Sequence, residues 1–124
     1  IDNSFTKVGI DHLKSRYFDK LSDGERQKVM VAKALAQETP MIILDEPSAN
    51  LDPISEYELN KNIMDSAKEK TVIIISHRLS TTVNADRIIM LENGKVAEIG
   101  THEELMSKSG DYAYMFNLQA EKYQ

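Results

Sequence analysis

Two short aliphatic runs, Met41–Leu44 and Val72–Ile75, bracket a segment from Pro53 to Lys70 in which Leu59, Ile63, Met64 and Ala67 recur at helical spacing. That order constrains the chain more than anything else in it. Both runs are rich in Ile or Val and bounded by polar or turn residues, as strands are. Their unbroken apolar character predicts burial on both faces. Asp52 followed by Pro53 reads as a helix N-cap with proline at the first helical position. Strand, helix, strand in this form predicts a parallel α/β sheet, whose crossover leaves ligand-binding loops at the carboxyl ends of the strands. Asp45, Glu46, Ser76 and His77 fall at those ends.

Two further runs, Ile88–Leu91 and Val96–Ile99, are joined by Glu92-Asn93-Gly94-Lys95. Asn-Gly favours a type I′ turn because both central residues need positive φ, so a β-hairpin follows the parallel strands. Thr101 with Glu104 spells a capping box, Gly110 suits a helix C-terminus, and Tyr112, Met115, Phe116 and Tyr123 share one face of a final helix. Two short helices therefore close the chain. No repeat, low-complexity stretch or linker divides its 124 residues, and one small domain is expected.

Composition narrows the function. With 15 Lys and Arg against 20 Asp and Glu the net charge is −5, which argues against a nucleic-acid partner. The chain has no cysteine, so disulfides and thiolate metal sites are excluded and a reducing cytosol is the expected setting. Met41–Leu44, the longest apolar run, is far too short to span a membrane.

Three places carry chemistry. Asp45 and Glu46 put adjacent carboxylates just past a buried strand, and side chains of neighbouring extended residues diverge, so two roles are open: Asp45 would hold Mg²⁺ through water, and Glu46 would orient and deprotonate an attacking water. The alternative is a pair that ends the strand and caps the next turn. Ser22-Asp23-Gly24-Glu25 opens an amphipathic helix whose apolar positions include Val29, Ala32 and Ala36. A helix start attracts phosphate, and Gly24 leaves room for close approach; Ser22 with Glu25 equally spells a capping box that needs no ligand. A neutral imidazole at His77 could donate to a phosphate oxygen or to water, or serve only structure. His12 and His102 lie in polar surroundings and read as surface residues.

The order of these segments resembles the nucleotide-binding domain of ATP-binding cassette (ABC) proteins. Leu21–Gln27 is similar to the family signature, Met41–Glu46 to the Walker B strand, Ser48–Asp52 to the D-loop and Ser76-His77 to the switch histidine. The resemblance implies that Ser22 and Gly24 contact the γ-phosphate of ATP held by the opposite subunit and that Asp52 couples the two sites across the dimer. Glu46 would be the general base, His77 the γ-phosphate sensor and Asp45 the Mg²⁺ residue. Asp23 and Glu25 depart from the usual Leu-Ser-Gly-Gly-Gln and set two carboxylates beside the expected triphosphate, where repulsion would weaken nucleotide sandwiching while the same charges favour the helix start.

The phosphate loop Gly-x-x-x-x-Gly-Lys-Ser/Thr does not occur in this sequence; its one Gly-Lys pair, Gly94-Lys95, is followed by Val96. The expectation is the C-terminal part of a P-loop NTPase-type ABC ATPase domain: residues 1–20 the tail of the helical subdomain, and 21–124 the signature helix to the C-terminus. The resemblance further implies ATP and Mg²⁺ as cofactors, with a second nucleotide-binding domain, transporter transmembrane domains and the N-terminal half of the cassette as partners. It implies a peripheral location on the cytoplasmic side of the cell membrane. Residues 52–58 and 76–80 onward look like peptide or lantibiotic exporters, and residues 85–91 through 100–105 are typical of exporter cassettes, whereas the signature through Pro40 looks most like cytosolic ATPases of metal-chelate importers. The exporter pattern covers more of the chain and is preferred. A DNA-repair or translation ATPase of the same superfamily would carry a basic surface or a long coiled-coil insertion, and neither is present. A non-catalytic assembly module is the remaining alternative.

Overall fold

The computed structural model describes residues 22–122, and the expectations for residues 1–20, Leu21, His12 and Tyr123 lie outside them. The described residues fall into two compact units that divide after Ile75.

The first unit runs α1 (Asp23–Ala36), β1 (Met41–Asp45), α2 (Pro53–Ser66) and β2 (Thr71–Ile75). β1 and β2 pair in parallel, from Met41 opposite Thr71 to Asp45 opposite Ile75. The expected crossover is therefore present, and Asp52 caps α2 with Pro53 at its start. The helix stops at Ser66 rather than Lys70 because the chain turns tightly, with the Lys68 amide donating to the Asp65 carbonyl and the Glu69 amide to that of Ser66. Lys70 instead spans to the Gln37 carbonyl, 3.0 Å from its Nζ. The core comprises Val31, Ala32 and Leu35 of α1, Ile42 and Leu44 of β1, and Leu59 and Ile63 of α2.

The strands are not buried on both faces. Ile42 and Leu44 point into the helix-covered core, while Met41, Ile43, Ile73 and Ile75 are 51%, 62%, 42% and 53% exposed. Period-two alternation sends successive side chains to opposite faces, and the core helices meet one of them.

The second unit holds a short 3₁₀ turn (Leu79–Thr81), β3 (Ile88–Glu92), β4 (Lys95–Gly100), α3 (His102–Lys108) and α4 (Asp111–Lys122). β3 and β4 form the expected antiparallel hairpin, with a bulge between Met90 and Leu91. Asn93 and Gly94 have φ of 52° and 73°, as a type I′ turn requires. The Thr101–Glu104 capping box is formed. The left-handed residue after α3 is Ser109, not Gly110; Gly110 instead makes room for the Glu98 carboxylate, which lies where a Cβ would stand and accepts from the Tyr112 amide at 2.8 Å.

Ile88, Leu105 and Tyr112 form the second core, with Leu79, Met90 and Phe116 against it. α4 buries Tyr112 and Ala113 and leaves Met115 exposed, so the inward face is rotated from the one the spacing predicts. His102 is half-buried rather than a surface residue: its Nδ1 lies 2.9 Å from the Tyr112 hydroxyl and its ring 4.7 Å from that of Phe116. The Thr82 hydroxyl spends its proton on the Leu79 carbonyl at 2.6 Å, so Tyr112 donates to Thr82 and His102 Nδ1 donates to Tyr112. Burial raises the Tyr112 pKa above 10.0, and the Thr82 hydroxyl partly offsets it.

Candidate functional site

The start of α1 is built by local hydrogen bonding. Ser22 Oγ accepts from the Glu25 amide at 3.2 Å, and Glu25 Oε1 accepts from the Ser22 amide at 3.0 Å, which completes the capping box. Two of the four amides that a helix start cannot satisfy internally are thereby used. Helix geometry leaves those of Asp23 and Gly24 for an external acceptor.

The start of α2 faces the same space. Asp52 Oδ1 accepts from the Ser55 amide at 2.9 Å and Oδ2 from the Ser55 hydroxyl at 2.9 Å. The Ser55 amide, then its hydroxyl, hold the Asp52 carboxyl below its usual pKa of 3.8. A Cβ on Gly24 would stand 3.0 Å from the Asn50 carbonyl oxygen and 3.3 Å from a Leu51 methyl. The close approach that Gly24 permits is thus that of the 50–51 backbone, not only that of a ligand.

Ser22, Asp23, Gly24, Glu25 and Lys28 of the first segment and Asn50, Leu51, Asp52 and Ser55 of the second line one open pocket of about 480 Å³. Five of the residues singled out in the sequence, Ser22, Asp23, Gly24, Glu25 and Asp52, are therefore together. Three of these carry carboxylates, Lys28 adds one positive charge, and two helix N-termini contribute partial positive charge.

Asp45 ends β1 exposed, while Glu46 is half-buried. Glu46 is not extended as expected: its φ of 47° is left-handed. It ends the strand and begins a turn, its amide donating to the Ile75 carbonyl at 2.7 Å and its own carbonyl accepting from the Ala49 amide at 3.2 Å. Gln27 Nε2 also donates to that carbonyl at 3.0 Å. The backbone therefore leaves the extended conformation between the two carboxylate-bearing residues.

Among the described residues no group of three or more acidic, His or Cys side chains could hold a metal ion. A lone exposed carboxylate such as Asp45 fits a Mg²⁺ whose other positions are filled by phosphate oxygens and water, the usual donor set for a nucleotide-bound cation. His77, exposed, lies near the start of the second unit, and its carbonyl accepts from Gln119 Nε2 at 2.7 Å.

Sequence reasoning missed Gln27, Lys28, Asn50, Ser55 and Gln119 as site or supporting residues. Gln27 lies within the signature-like stretch, one helical turn from Gly24. Gln119 is a polar residue in register with Tyr112 and Phe116 on the inward face of α4, and that mismatch was its signal.

The family described as "ABC transporter" matches residues 1–49. An ATP-dependent lipid A-core flippase of Desulfotalea psychrophila is 43% identical over 100 residues, covering 81% of this chain and 18% of the flippase. The alpha-hemolysin translocation ATP-binding protein HlyB of Escherichia coli O157:H7 is 48% identical over 101 residues, covering 81% of this chain and 14% of HlyB. A bacterial Atm1-family ABC exporter, solved with ATP bound, superposes with a TM-score of 0.86 at 32% identity over 96% of this chain and 23% of the exporter chain. The chain carries part of an ABC transporter ATP-binding domain. It spans less than a fifth of these two curated relatives. Within this ABC domain the parallel pair, the hairpin and the two closing helices match those of an exporter cassette, and among the described residues no helix is long and apolar enough to cross a membrane.

Proposed function

We propose that this ABC domain works in an exporter, where ATP binding and hydrolysis drive a lipid, peptide or drug-like substrate across a membrane. The observation that carries the reading is the single pocket that joins residues 22–28 to residues 50–55. The flippase, the translocation protein and the exporter support export, and most of the matching relatives are of this kind, although a mycobactin import protein of Mycolicibacterium thermoresistibile is also among them.

In this reading the pocket meets ATP held by a second nucleotide-binding domain. The Asp23 and Gly24 amides and the Ser22 hydroxyl face the γ-phosphate, with the Asp23 and Glu25 carboxylates opposing its charge. Asp52, held rigid by Ser55, communicates between the two sites of the dimer. Bound MgATP supplies the phosphoryl group and the cation that neutralises developing charge. Asp45 is the residue for that cation. Glu46 accepts the proton of the attacking water, its carboxylate aimed by the left-handed turn. His77 donates to the γ-phosphate. The phosphate loop is supplied by the N-terminal half of the cassette, transmembrane domains are the mechanical partner, and the domain sits on the cytoplasmic face of the membrane.

In a complete cassette carrying these residues, Glu46→Gln keeps the shape and loses the base. ATPase turnover is expected to fall about 10²-fold or more, with ATP affinity unchanged within about twofold. Loss of binding together with turnover would assign Glu46 a structural role and overturn its place in the mechanism.

A further inference from the structure

Short-range hydrogen bonds pin the backbone of the segment after β2 at several points. The Ser76 hydroxyl accepts from the Arg78 amide at 3.0 Å. The Arg78 carbonyl accepts from the Thr81 amide at 3.2 Å and its hydroxyl at 2.9 Å. The Leu79 carbonyl accepts from the Thr82 amide at 3.0 Å and its hydroxyl at 2.6 Å. Two groups on either side of Arg78 are left by these local bonds, the His77 carbonyl and the Leu79 amide. One side chain takes both: Gln119 Nε2 donates to the His77 carbonyl at 2.7 Å, and Gln119 Oε1 accepts from the Leu79 amide at 2.9 Å.

The chemistry leaves one orientation for this carboxamide, because a carbonyl needs its NH₂ and an amide N–H needs its oxygen. Gln119 stands one turn beyond Phe116 on the inward face of α4, and Tyr112 on the same helix ties to Thr82 at 2.6 Å. The helix therefore grips the segment twice, and one grip ends on the residue that carries the imidazole.

We propose that Gln119 is a positioning residue for His77: its carboxamide bridges the His77 carbonyl and the Leu79 amide and so sets the backbone from which the imidazole reaches the nucleotide. Its effect on turnover rests on the reading of His77 as the γ-phosphate contact. The bridge itself is independent of that reading. Gln119→Glu separates the two halves of the bridge: its carboxylate still accepts from Leu79 but presents an oxygen to the His77 carbonyl. Gln119→Leu removes both.

Amide hydrogen exchange on the 124-residue chain reads the bridge directly. In Gln119→Leu the Leu79 amide should exchange about tenfold faster, the scale of one lost hydrogen bond, and in Gln119→Glu it should stay within about twofold. In a complete cassette, both variants should lower kcat by about tenfold with the KM for ATP within about twofold. Unchanged Leu79 exchange in Gln119→Leu overturns the bridge. Wild-type kcat in both variants, alongside lost turnover in His77→Ala, overturns the positioning role and leaves the His77 reading standing. Turnover retained in His77→Ala instead overturns the His77 reading, and with it the effect on turnover, whereas the exchange result still decides the bridge. Should Gln119→Leu fail to fold, Gln119→Glu carries the test alone: wild-type kcat, or a Leu79 amide exchanging tenfold faster, would overturn it.

Discussion

Glu46 holds a left-handed backbone that costs a non-glycine residue about 1–2 kcal/mol. Three hydrogen bonds, to Ile75, Ala49 and Gln27, keep it there. Such a conformation persists only where surrounding contacts over-determine it. At Asp52 the local bonds have a consequence in pH. Its carboxyl is acidified in the folded state by the Ser55 amide and hydroxyl, so its capping contribution is present above its unfolded value of 3.8 and is lost as pH falls through the lower folded value. The denaturation midpoint of the wild type should exceed that of Asp52→Ala at pH 7, and the gap should close below pH 3.8. Asp23, exposed in the first turn of α1 and on the pocket wall, faces a conflict. Its charge favours the helix by about 0.3–1 kcal/mol and opposes a triphosphate. In a complete dimeric cassette, Asp23→Gly should tighten ATP-dependent dimerisation and lower the Tm of the nucleotide-free domain slightly, both effects shrinking with salt. Weaker dimerisation with an unchanged Tm would point Asp23 away from the nucleotide.

The helices begin in two different ways. α1 and α3 carry complete capping boxes within their own sequence, Ser22 with Glu25 and Thr101 with Glu104. α4 follows Gly110, which has no side chain to offer, and the acceptor comes from Glu98 on β4. Because Gly110 is not left-handed, alanine is conformationally acceptable there, and the cost of substitution is steric. A Cβ would stand 2.6 Å from Glu98 Oε1. Gly110→Ala should therefore displace Glu98, uncap α4 and cost about 1–3 kcal/mol. Urea titration should show a lower midpoint with an unchanged slope. An unchanged midpoint would mean that α4 starts without Glu98.

Across the molecule, apolar residues stay outside. Met41, Ile43, Ile73 and Ile75 expose one face of the parallel pair, and Ile89, Leu91, Val96 and Ile99 are exposed on the hairpin. Contiguous apolar surface of this kind mediates association. The 124-residue chain in isolation should self-associate, with a sedimentation coefficient that rises with concentration. A clean monomer at high concentration would count against it.

The strands, the Asn93-Gly94 turn, the Asp52 cap and both capping boxes were legible in the sequence because each is decided by residues within about four positions of one another. The candidate carboxylates could be read for the same reason, since a polar pair ending an aliphatic run is a local pattern. The facing of the strands could not: an unbroken aliphatic run fits one covered face as well as two, and packing of α1 and α2 chose one. Nor could α4's inward face, the half-burial of His102 or the use of Gly110 be read, because each depends on a partner brought in by tertiary packing. Gln27 meets Glu46 across 19 positions and Gln119 meets His77 across 42. Short-range hydrogen bonding and side-chain periodicity are properties of the sequence itself, whereas these long-range contacts exist only once burial of the two cores has folded the chain back on itself.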